Sequence, residues 1–275
     1  MLVATVNVNG IRAAARKGMG EWIDATDADV ILFQEVRAPE DLAAGLIGDR
    51  YRVIQQASVL KGRAGVAVAV KADYELGPTR LGLQAGLAPA DATLAEPPVD
   101  TGRWVEVDVP ALDTTFVSAY LHSGVADNAE KMAAKYAHLD RVTQRLDELR
   151  SDRPLAHVLV AGDFNIVHTP LDIKNWKPNH NKTAGVLDRE IAYLDRWFEY
   201  YVDTQRRLVG EVQGPYTWWS QRGKAFDNDA GWRIDYQMTS PDLAALAVDA
   251  RVDRASQYAK RWSDHAPLVV TYRGE

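Results

Sequence analysis

Residues 158–166 read VLVAGDFNI, an apolar run that ends in two polar residues, Asp163 and Asn165. Small and β-branched residues closed by a glycine are typical of a buried strand that finishes in a turn, where open α/β sheets place their sites. Residues two apart on a strand project to the same face, so the carboxylate and the carboxamide can converge on a water molecule or a phosphate oxygen. A surface turn capped by Asp and Asn is the alternative.

The composition indicates a globular protein without sulfur ligands. The chain has 275 residues, of which 47% are hydrophobic and 25% are charged, and it contains no cysteine. These values are ordinary for a folded protein, and the length permits one large domain or two smaller ones. The lack of cysteine excludes disulfides, thiolate nucleophiles and sulfur-bound zinc, so oxygen or imidazole must hold any metal.

No segment predicts a membrane span or an export signal, so we expect a cytoplasmic protein with no membrane partner. No apolar run approaches the roughly 20 residues that cross a bilayer, and polar Asn7 and Asn9 come too early for a signal peptide.

The net charge of -6 argues against a surface that is basic overall. A bound divalent cation and a local basic rim can nevertheless create a docking surface for DNA.

Apolar runs predict strands that alternate with helices along the whole chain. The predicted strands are 2–8, 29–33, 51–57, 65–71, 103–109, 115–121, 158–162, 216–219, 233–239, 247–252 and 268–272, and the predicted helices are 11–25, 127–150 and 188–200. The first strand, helix and strand imply a parallel crossover, which makes Asn7 and Glu35 neighbours. Residues 76–101 predict a loop with room for one strand, the best candidate for a mobile insertion. Because no repeat or linker interrupts this pattern, we expect a single domain over residues 1–275.

The helix predicted at 127–150 has the clearest pattern in the sequence. Its apolar residues recur at spacings of three and four, namely Met132, Tyr136, Leu139, Val142, Leu146 and Leu149. Asp127 and Glu130 predict a start that resembles a capping box. The intervening basic residues predict a solvated face, and they are Lys131, Lys135, Arg141 and Arg145.

Polar residues follow the apolar strands throughout the chain. They are Asn7, Glu35, Tyr120, Asp163, Asn165, Asp235, Asp264 and His265. Each alone suits a structural role, and His265 in particular suits a buried histidine satisfied by a neighbouring aspartate. Together they would be weakly paired polar groups near a buried edge, unless they form a common site.

These segments, in this order, resemble the exonuclease III family of apurinic/apyrimidinic endonucleases within the endonuclease/exonuclease/phosphatase superfamily. The matching pieces are NVNGIRA at 7–13, QE at 34–35, GDFN at 162–165, LDIKN at 171–175, YTWW at 216–219, GWRIDY at 231–236 and SDHAP at 263–267. QE, GDxN and SDH recur across the superfamily, which includes lipid and inositol phosphatases. The early NxNGxRA and the late GWRxDY point to the DNA-repair branch. One departure follows Tyr120, where Leu121, His122 and Ser123 replace the usual proline and asparagine or glutamine.

The resemblance implies an α/β fold, a DNase I-like four-layer sandwich of two packed mixed β-sheets flanked by helices. It also implies a monomeric, metal-dependent nuclease that hydrolyses the phosphodiester 5′ to abasic sites in double-stranded DNA and removes nucleotides from 3′ ends. The expected ligands of Mg²⁺, with Mn²⁺ as a substitute, are Asn7, Glu35 and Asp264. Three further residues line a second or shifted metal position, namely Asp163, Asn165 and His265. A lipid or inositol phosphatase on the same scaffold is the alternative, and a DNA-binding module without catalysis is excluded because Glu35, Asp163 and His265 are all present.

The resemblance also implies roles for the individual side chains. Asp163 takes a proton from the attacking water or handles that of the leaving group, and Asn165 orients the water. His265, held by Asp235, contacts a phosphate oxygen or activates water, and Tyr120 donates to a phosphate oxygen.

Aromatic and basic residues complete the expected DNA interface. Trp218, Trp232 and Ile234 would surround a flipped-out deoxyribose that lacks a base, although core packing is their commoner fate. Five basic residues are expected to follow the phosphates, namely Arg12, Lys61, Arg63, Arg222 and Lys224.

Overall fold

The computed structural model describes residues 1–83 and 96–274, and in this part of the chain twelve strands form two six-stranded mixed sheets. The first sheet contains β1 (Leu2–Asn7), β2 (Val30–Gln34), β3 (Tyr51–Gln56), β4 (Val66–Lys71), β11 (Ala247–Val252) and β12 (Leu268–Tyr272), in the order β11-β12-β1-β2-β4-β3. The second contains β5 (Thr79–Leu81), β6 (Trp104–Val109), β7 (Thr114–Tyr120), β8 (His157–Asp163), β9 (Val202–Asp203) and β10 (Asp235–Thr239), in the order β5-β6-β7-β8-β10-β9.

Helices cover the outer faces of both sheets. The described helices are α1 (Ile11–Arg16), α2 (Met19–Thr26), α3 (Glu40–Ile47), α4 (Ala129–Ser151), α5 (Trp176–Asn179), α6 (Asp188–Trp197), α7 (Thr204–Val209) and α8 (Pro241–Leu246). Residues of α1, α2 and α3 pack on the first sheet, and residues of α4 and α6 pack on the second. The expected α/β sandwich of four layers is therefore confirmed. None of these helices has the length and apolar character that crossing a membrane requires.

Each central strand is apolar on both faces because both faces are covered. In β8, Leu159 and Ala161 contribute to the core between the two sheets, whereas Val158 and Val160 contribute to the core that α4 and α6 share. Successive side chains of a strand point to opposite faces, so an uninterrupted apolar run is what a strand between two layers needs. This is why the apolar run at residues 158–162 predicts a buried strand so clearly.

Most predicted strands are confirmed, and the pairing of the first two is parallel as expected. The helix predicted at 11–25 was wrong as one element, since α1 ends at Arg16 and α2 begins at Met19. Gly18 separates the two helices with a φ of 108°, a left-handed conformation that an α-helix cannot contain. The strand predicted at 216–219 was also wrong, because the described pairing there consists of isolated bridges from Trp218 to Trp232 and to His265.

The loop predicted at 76–101 contains the short strand β5, for which the prediction left room. Residues 84–95, the middle of the loop that we expected to be a mobile insertion, lie outside the described residues. After them, residues 98–100 form one turn of 3₁₀ helix that ends at the buried Asp100.

Two features of α4 differ from the prediction. Asn128, rather than Asp127, caps the helix, because its side chain accepts a hydrogen bond from the amide of Lys131. The solvated basic face was wrong for Lys135 and Arg145, which are both buried.

Acidic residues from distant parts of the chain pair with the buried basic residues of α4. The Lys135 Nζ lies 2.6 Å from the Glu190 carboxylate on α6, and the Arg145 guanidinium lies 2.7 Å from Glu106 on β6. The helix packs between these elements, so both of its sides are covered and each buried charge needs a partner.

Candidate active site

The ends of β1 and β8 bring the two sheets together at one edge of the sandwich. The side-chain amide of Asn7, which is fully buried, donates to Glu35 Oε1 and to Asp163 Oδ2, both at 2.9 Å. The Asn165 backbone and side-chain N–H groups donate to the two oxygens of Asp163, at 2.9 and 3.1 Å. The expected proximity of Asn7 and Glu35, and that of Asp163 and Asn165, are therefore both observed.

His265 lies between two carboxylates. Its Nδ1 is 2.8 Å from Asp235 Oδ2, and its Nε2 is 3.8 Å from Asp163 Oδ2. Burial opposes a charge on the imidazole, but attraction to Asp235 outweighs it and raises the pKa of His265 above its usual value. Burial also raises the pKa of Asp163, while the adjacent His265 charge acts in the opposite direction. Asp235 thus holds a protonated imidazole whose other nitrogen faces Asp163.

Asp264, which directly precedes His265 in the chain, is fixed by two hydrogen bonds. Its Oδ1 accepts from Asn9 Nδ2 at 2.9 Å, and its Oδ2 accepts from Trp218 Nε1 at 3.2 Å. Although burial acts in the opposite direction, the neighbouring His265 charge and these hydrogen bonds lower the pKa of Asp264. Asp264 is therefore an ionised carboxylate at neutral pH.

Tyr120 ends β7 directly beside Asp163, its partner in the parallel ladder. Burial, together with the charges of Glu35 and Asp163, raises the pKa of Tyr120 well above its usual value, so the hydroxyl keeps its proton. The guanidinium of Arg103 lies 4.6 Å from the centre of the tyrosine ring. Sequence reasoning missed Arg103, since a single arginine that opens an apolar strand has no distinguishing pattern.

A cleft of about 700 Å³ opens over these groups. The predicted site residues that line it are Glu35, Tyr120, Asp163, Asn165, Trp218, Trp232, Ile234, Asp264 and His265, with Asn7 and Asp235 fully buried behind them. Arg37 and Lys182, which the sequence analysis did not assign to the site, line it as well. The five basic residues expected to follow the phosphates are all exposed, but none is among the described residues that line the cleft.

Two tryptophans form an apolar wall of the cleft. The rings of Trp218 and Trp232 meet edge to face, with 5.6 Å between their centres, and Trp218 also contacts the His265 ring at 6.4 Å. Ile234 lies two residues after Trp232, directly before β10, and contributes to the same small apolar cluster. These residues therefore combine core packing with contact to the cleft.

The donor set fits a hard divalent cation. Glu35 and Asp163 present carboxylate oxygens to the same Asn7 amide, and burial raises the pKa of Asp163 although the charge of His265 acts in the opposite direction. Two carboxylates this close to one another repel each other, and a bound cation relieves that repulsion. Oxygen donors of this kind are the ligands that Mg²⁺ prefers. Arg37 pairs with Glu35, and its side chain is 40% exposed.

Comparisons with known proteins agree with this geometry. The family described as "Endonuclease/Exonuclease/phosphatase family" matches residues 4–265. A protein from Bacillus subtilis named "Exodeoxyribonuclease" is 29% identical over 272 residues, 98% of each chain. The "Exodeoxyribonuclease III" of Haemophilus influenzae is 26% identical and covers 99% of this chain and 100% of its own. The solved structure of an AP endonuclease from Archaeoglobus fulgidus superposes with a TM-score of 0.81 at 25% identity, over 99% of each chain.

Proposed function

The chain belongs to the endonuclease/exonuclease/phosphatase family, and from that premise we propose that it is a metal-dependent DNA-repair nuclease of the exonuclease III type. It hydrolyses the phosphodiester 5′ to abasic sites and removes nucleotides 3′ to 5′ from duplex DNA. The observation that carries the proposal is the convergence of Glu35, Asp163 and His265, from three distant segments, on one cleft. The names of the two bacterial relatives support a nuclease rather than the lipid or inositol phosphatase of the same scaffold.

Asn7, Glu35 and Asp264 would hold Mg²⁺, with Mn²⁺ as a substitute, and Asp163, Asn165 and His265 would line a second or shifted position. When bound, the cation stabilises the negative charge that develops on the phosphate oxygens. This assignment is supported by the oxygen donors and by the Glu35 and Asp163 carboxylates that meet at the Asn7 amide.

Asp163 accepts a proton from the attacking water or handles the proton of the leaving group. Its raised pKa and the hydrogen bonds from Asn7 and Asn165 support this role. Asn165 orients the water. A carboxylate that is fixed by neighbouring amides keeps its oxygen aimed at the reacting atoms, which lowers the entropic part of the barrier.

His265 and Tyr120 donate hydrogen bonds to the scissile phosphate. Asp235 occupies the Nδ1 side of the imidazole, so Nε2 is the nitrogen that faces the cleft. The raised pKa values of both residues keep their protons available at neutral pH. Donors that are already in place before the reaction stabilise the developing charge without further reorganisation.

Trp218, Trp232 and Ile234 receive the deoxyribose of an abasic site. Extruding a nucleotide is cheapest when no base has to be unstacked, so a narrow apolar pocket favours such sites. Arg12 and the other exposed basic residues bind DNA phosphates outside the cleft, and we therefore expect affinity that falls with salt. The single domain, the monomeric state and the cytoplasmic location stay predictions.

The test uses a duplex with one stable abasic analogue, incubated with Mg²⁺ and separately with EDTA. We expect incision 5′ to the analogue only with Mg²⁺, and loss of incision by at least about 100-fold in Asp163→Asn with DNA binding retained. Asp249→Asn, at an exposed position of β11, is the matched control. An intact strand under both conditions, with hydrolysis of an inositol phosphate instead, would replace this proposal by the phosphatase alternative.

A further inference from the structure

A second cluster of metal-type side chains lies outside the cleft. Asp100 ends the 3₁₀ turn at residues 98–100, His122 follows Tyr120 by two residues, and His138 lies on α4. One potential ligand atom from each of the three lies within 4.8 Å of the others. His122 is also one of the three residues after Tyr120 at which the sequence departs from the family pattern, and the proposed nuclease mechanism gives it no role.

The three groups converge on a single carboxylate oxygen. Asp100 Oδ1 lies 2.6 Å from His122 Nε2 and 3.5 Å from His138 Nδ1. Arg141 pairs with the other oxygen, Oδ2, and so fixes the direction in which the carboxylate points. A partner that orients a ligand in this way is a regular feature around metal sites.

Hydrogen bonds among Asp100, His122 and their neighbours do not satisfy all polar atoms of the cluster. His138 is fully buried, yet within the part of the chain that the structure describes neither of its ring nitrogens has a hydrogen-bond partner. Buried polar groups without a partner are rare because they lose their hydration and gain nothing in return. A network of Asp100, His122 and Arg141 alone leaves this histidine unexplained, whereas a cation at the cluster gives it a partner.

We propose that Asp100, His122 and His138 bind a divalent cation of the zinc class, separate from the cation of the cleft. Two imidazoles and one carboxylate form a ligand set that Zn²⁺ accepts, whereas Mg²⁺ prefers oxygen alone. Burial also lowers the pKa of His122 to about 3 and that of His138 well below its usual value, so both rings are neutral, as ligands must be.

Nearby positive charges set the expected strength of binding. Arg103 and Lys135 repel additional positive charge at the two histidines, although Lys135 is itself paired with Glu190. With three protein ligands and this repulsion, we expect a dissociation constant on the order of a micromolar, weaker than that of a four-ligand structural zinc site.

A bound ion would tie together two segments that flank the candidate active site. Asp100 lies three residues before Arg103, and His122 lies two residues after Tyr120, while Arg103 and Tyr120 contact each other. The ion would therefore fix both segments to α4 and hold this pair in position beside the cleft.

The experiment titrates Zn²⁺ into chelator-treated protein. The buffer contains excess Mg²⁺ and a chromophoric zinc chelator that competes for the added ion. We expect the unsubstituted protein to bind one equivalent more than His122→Gln. The matched control is His168→Gln, at a half-buried histidine that pairs with Asp195, and it should keep that equivalent. Equal stoichiometry in the unsubstituted protein and His122→Gln overturns the proposal, whatever the nuclease assay shows.

Thermal melting gives a second readout that uses the same proteins. Zn²⁺ at about a hundredfold excess over the dissociation constant should raise the melting midpoint of the unsubstituted protein by about 5 °C more than that of His122→Gln. His138→Phe should fold without metal and show no extra rise, because it removes the ligand and the unpaired polar atoms together. The same rise in all variants assigns the bound zinc elsewhere and overturns the proposal.

Discussion

Replacing Lys135 with methionine is expected to lower the free energy of unfolding by about 3–5 kcal/mol, the cost of leaving one member of a buried ion pair alone. The Lys135 and Glu190 side chains are both fully buried, and their charged atoms are 2.6 Å apart. Methionine fills a similar volume, so the loss would come from the uncompensated Glu190 carboxylate rather than from a cavity.

The Lys135→Met substitution should also alter the candidate active site. The Lys135 Nζ donates to the backbone carbonyls of Ser123 and Asn165, at 3.1 Å each. Asn165 has a φ of 53°, a left-handed conformation that its surroundings must hold in place. We therefore expect kcat for abasic-site incision to fall by about tenfold, with little change in KM, because the orientation of Asn165 is used during reaction.

Urea unfolding followed by fluorescence, and incision kinetics on the abasic duplex, measure the two effects. Lys131→Met, on the exposed side of the same helix, is the matched control and should change stability by less than about 0.5 kcal/mol. Adding Glu190→Gln to Lys135→Met should recover most of the lost stability, because the buried charge is then removed. The reasoning is refuted if Lys135→Met is as stable as the control, or if the double variant is no more stable than the single one.

Three further outcomes are expected. Asp235→Asn removes the charge that raises the pKa of His265, so the alkaline limb of the pH–rate profile should move to lower pH by at least about one unit. An unchanged limb would show that His265 does not act as a protonated donor. Attraction to its arginine partners outweighs burial and lowers the pKa of Asp172 in the folded protein to about 2. Its pKa in the unfolded chain is near 4, so at pH values above about 4 this difference contributes about 2 kcal/mol to the free energy of unfolding. Acid titration of unfolding should show this contribution disappearing between about pH 4 and pH 2, and Asp172→Asn should abolish that part of the dependence. Gly162→Ala would place a methyl group 1.9 Å from the Ala119 carbonyl oxygen, so we expect no soluble folded protein, and a circular dichroism spectrum of native shape would contradict this.

Local patterns in the sequence predicted the positions of most strands and the residues at their ends. The apolar run at 158–162 is typical of a strand covered on both faces, and the helical crossover between β1 and β2 implies that these two strands are parallel. These two facts place Asn7 and Glu35 at neighbouring strand ends and Asp163 at the end of a buried strand, whereas the packing of the two sheets brings Asp163 to the other two. Side-chain periods and crossover lengths are local properties, which is why a single sequence can show them.

Burial of polar residues by distant parts of the chain could not be predicted in this way. A basic residue on a helix has the same local pattern whether it meets water or a carboxylate 55 positions away, as Lys135 meets Glu190. The contact between Arg103 and Tyr120 and the cluster around His138 depend in the same way on tertiary packing. The break of the first helix at Gly18 reflects a backbone angle, which the apolar period of residues 11–25 does not reveal.

The amide of Asn7 joins carboxylates from both sheets, and this has a consequence for the chain as it leaves the ribosome. Asp163 is synthesised 156 positions after Asn7, and His265 follows later still. A nascent polypeptide that has not reached His265 lacks the imidazole, so the proposed mechanism predicts that it does not cut nucleic acid while it is being translated. The proposed catalytic groups can come together only after translation has passed His265, so incision activity would report that segments from Asn7 to His265 have folded together.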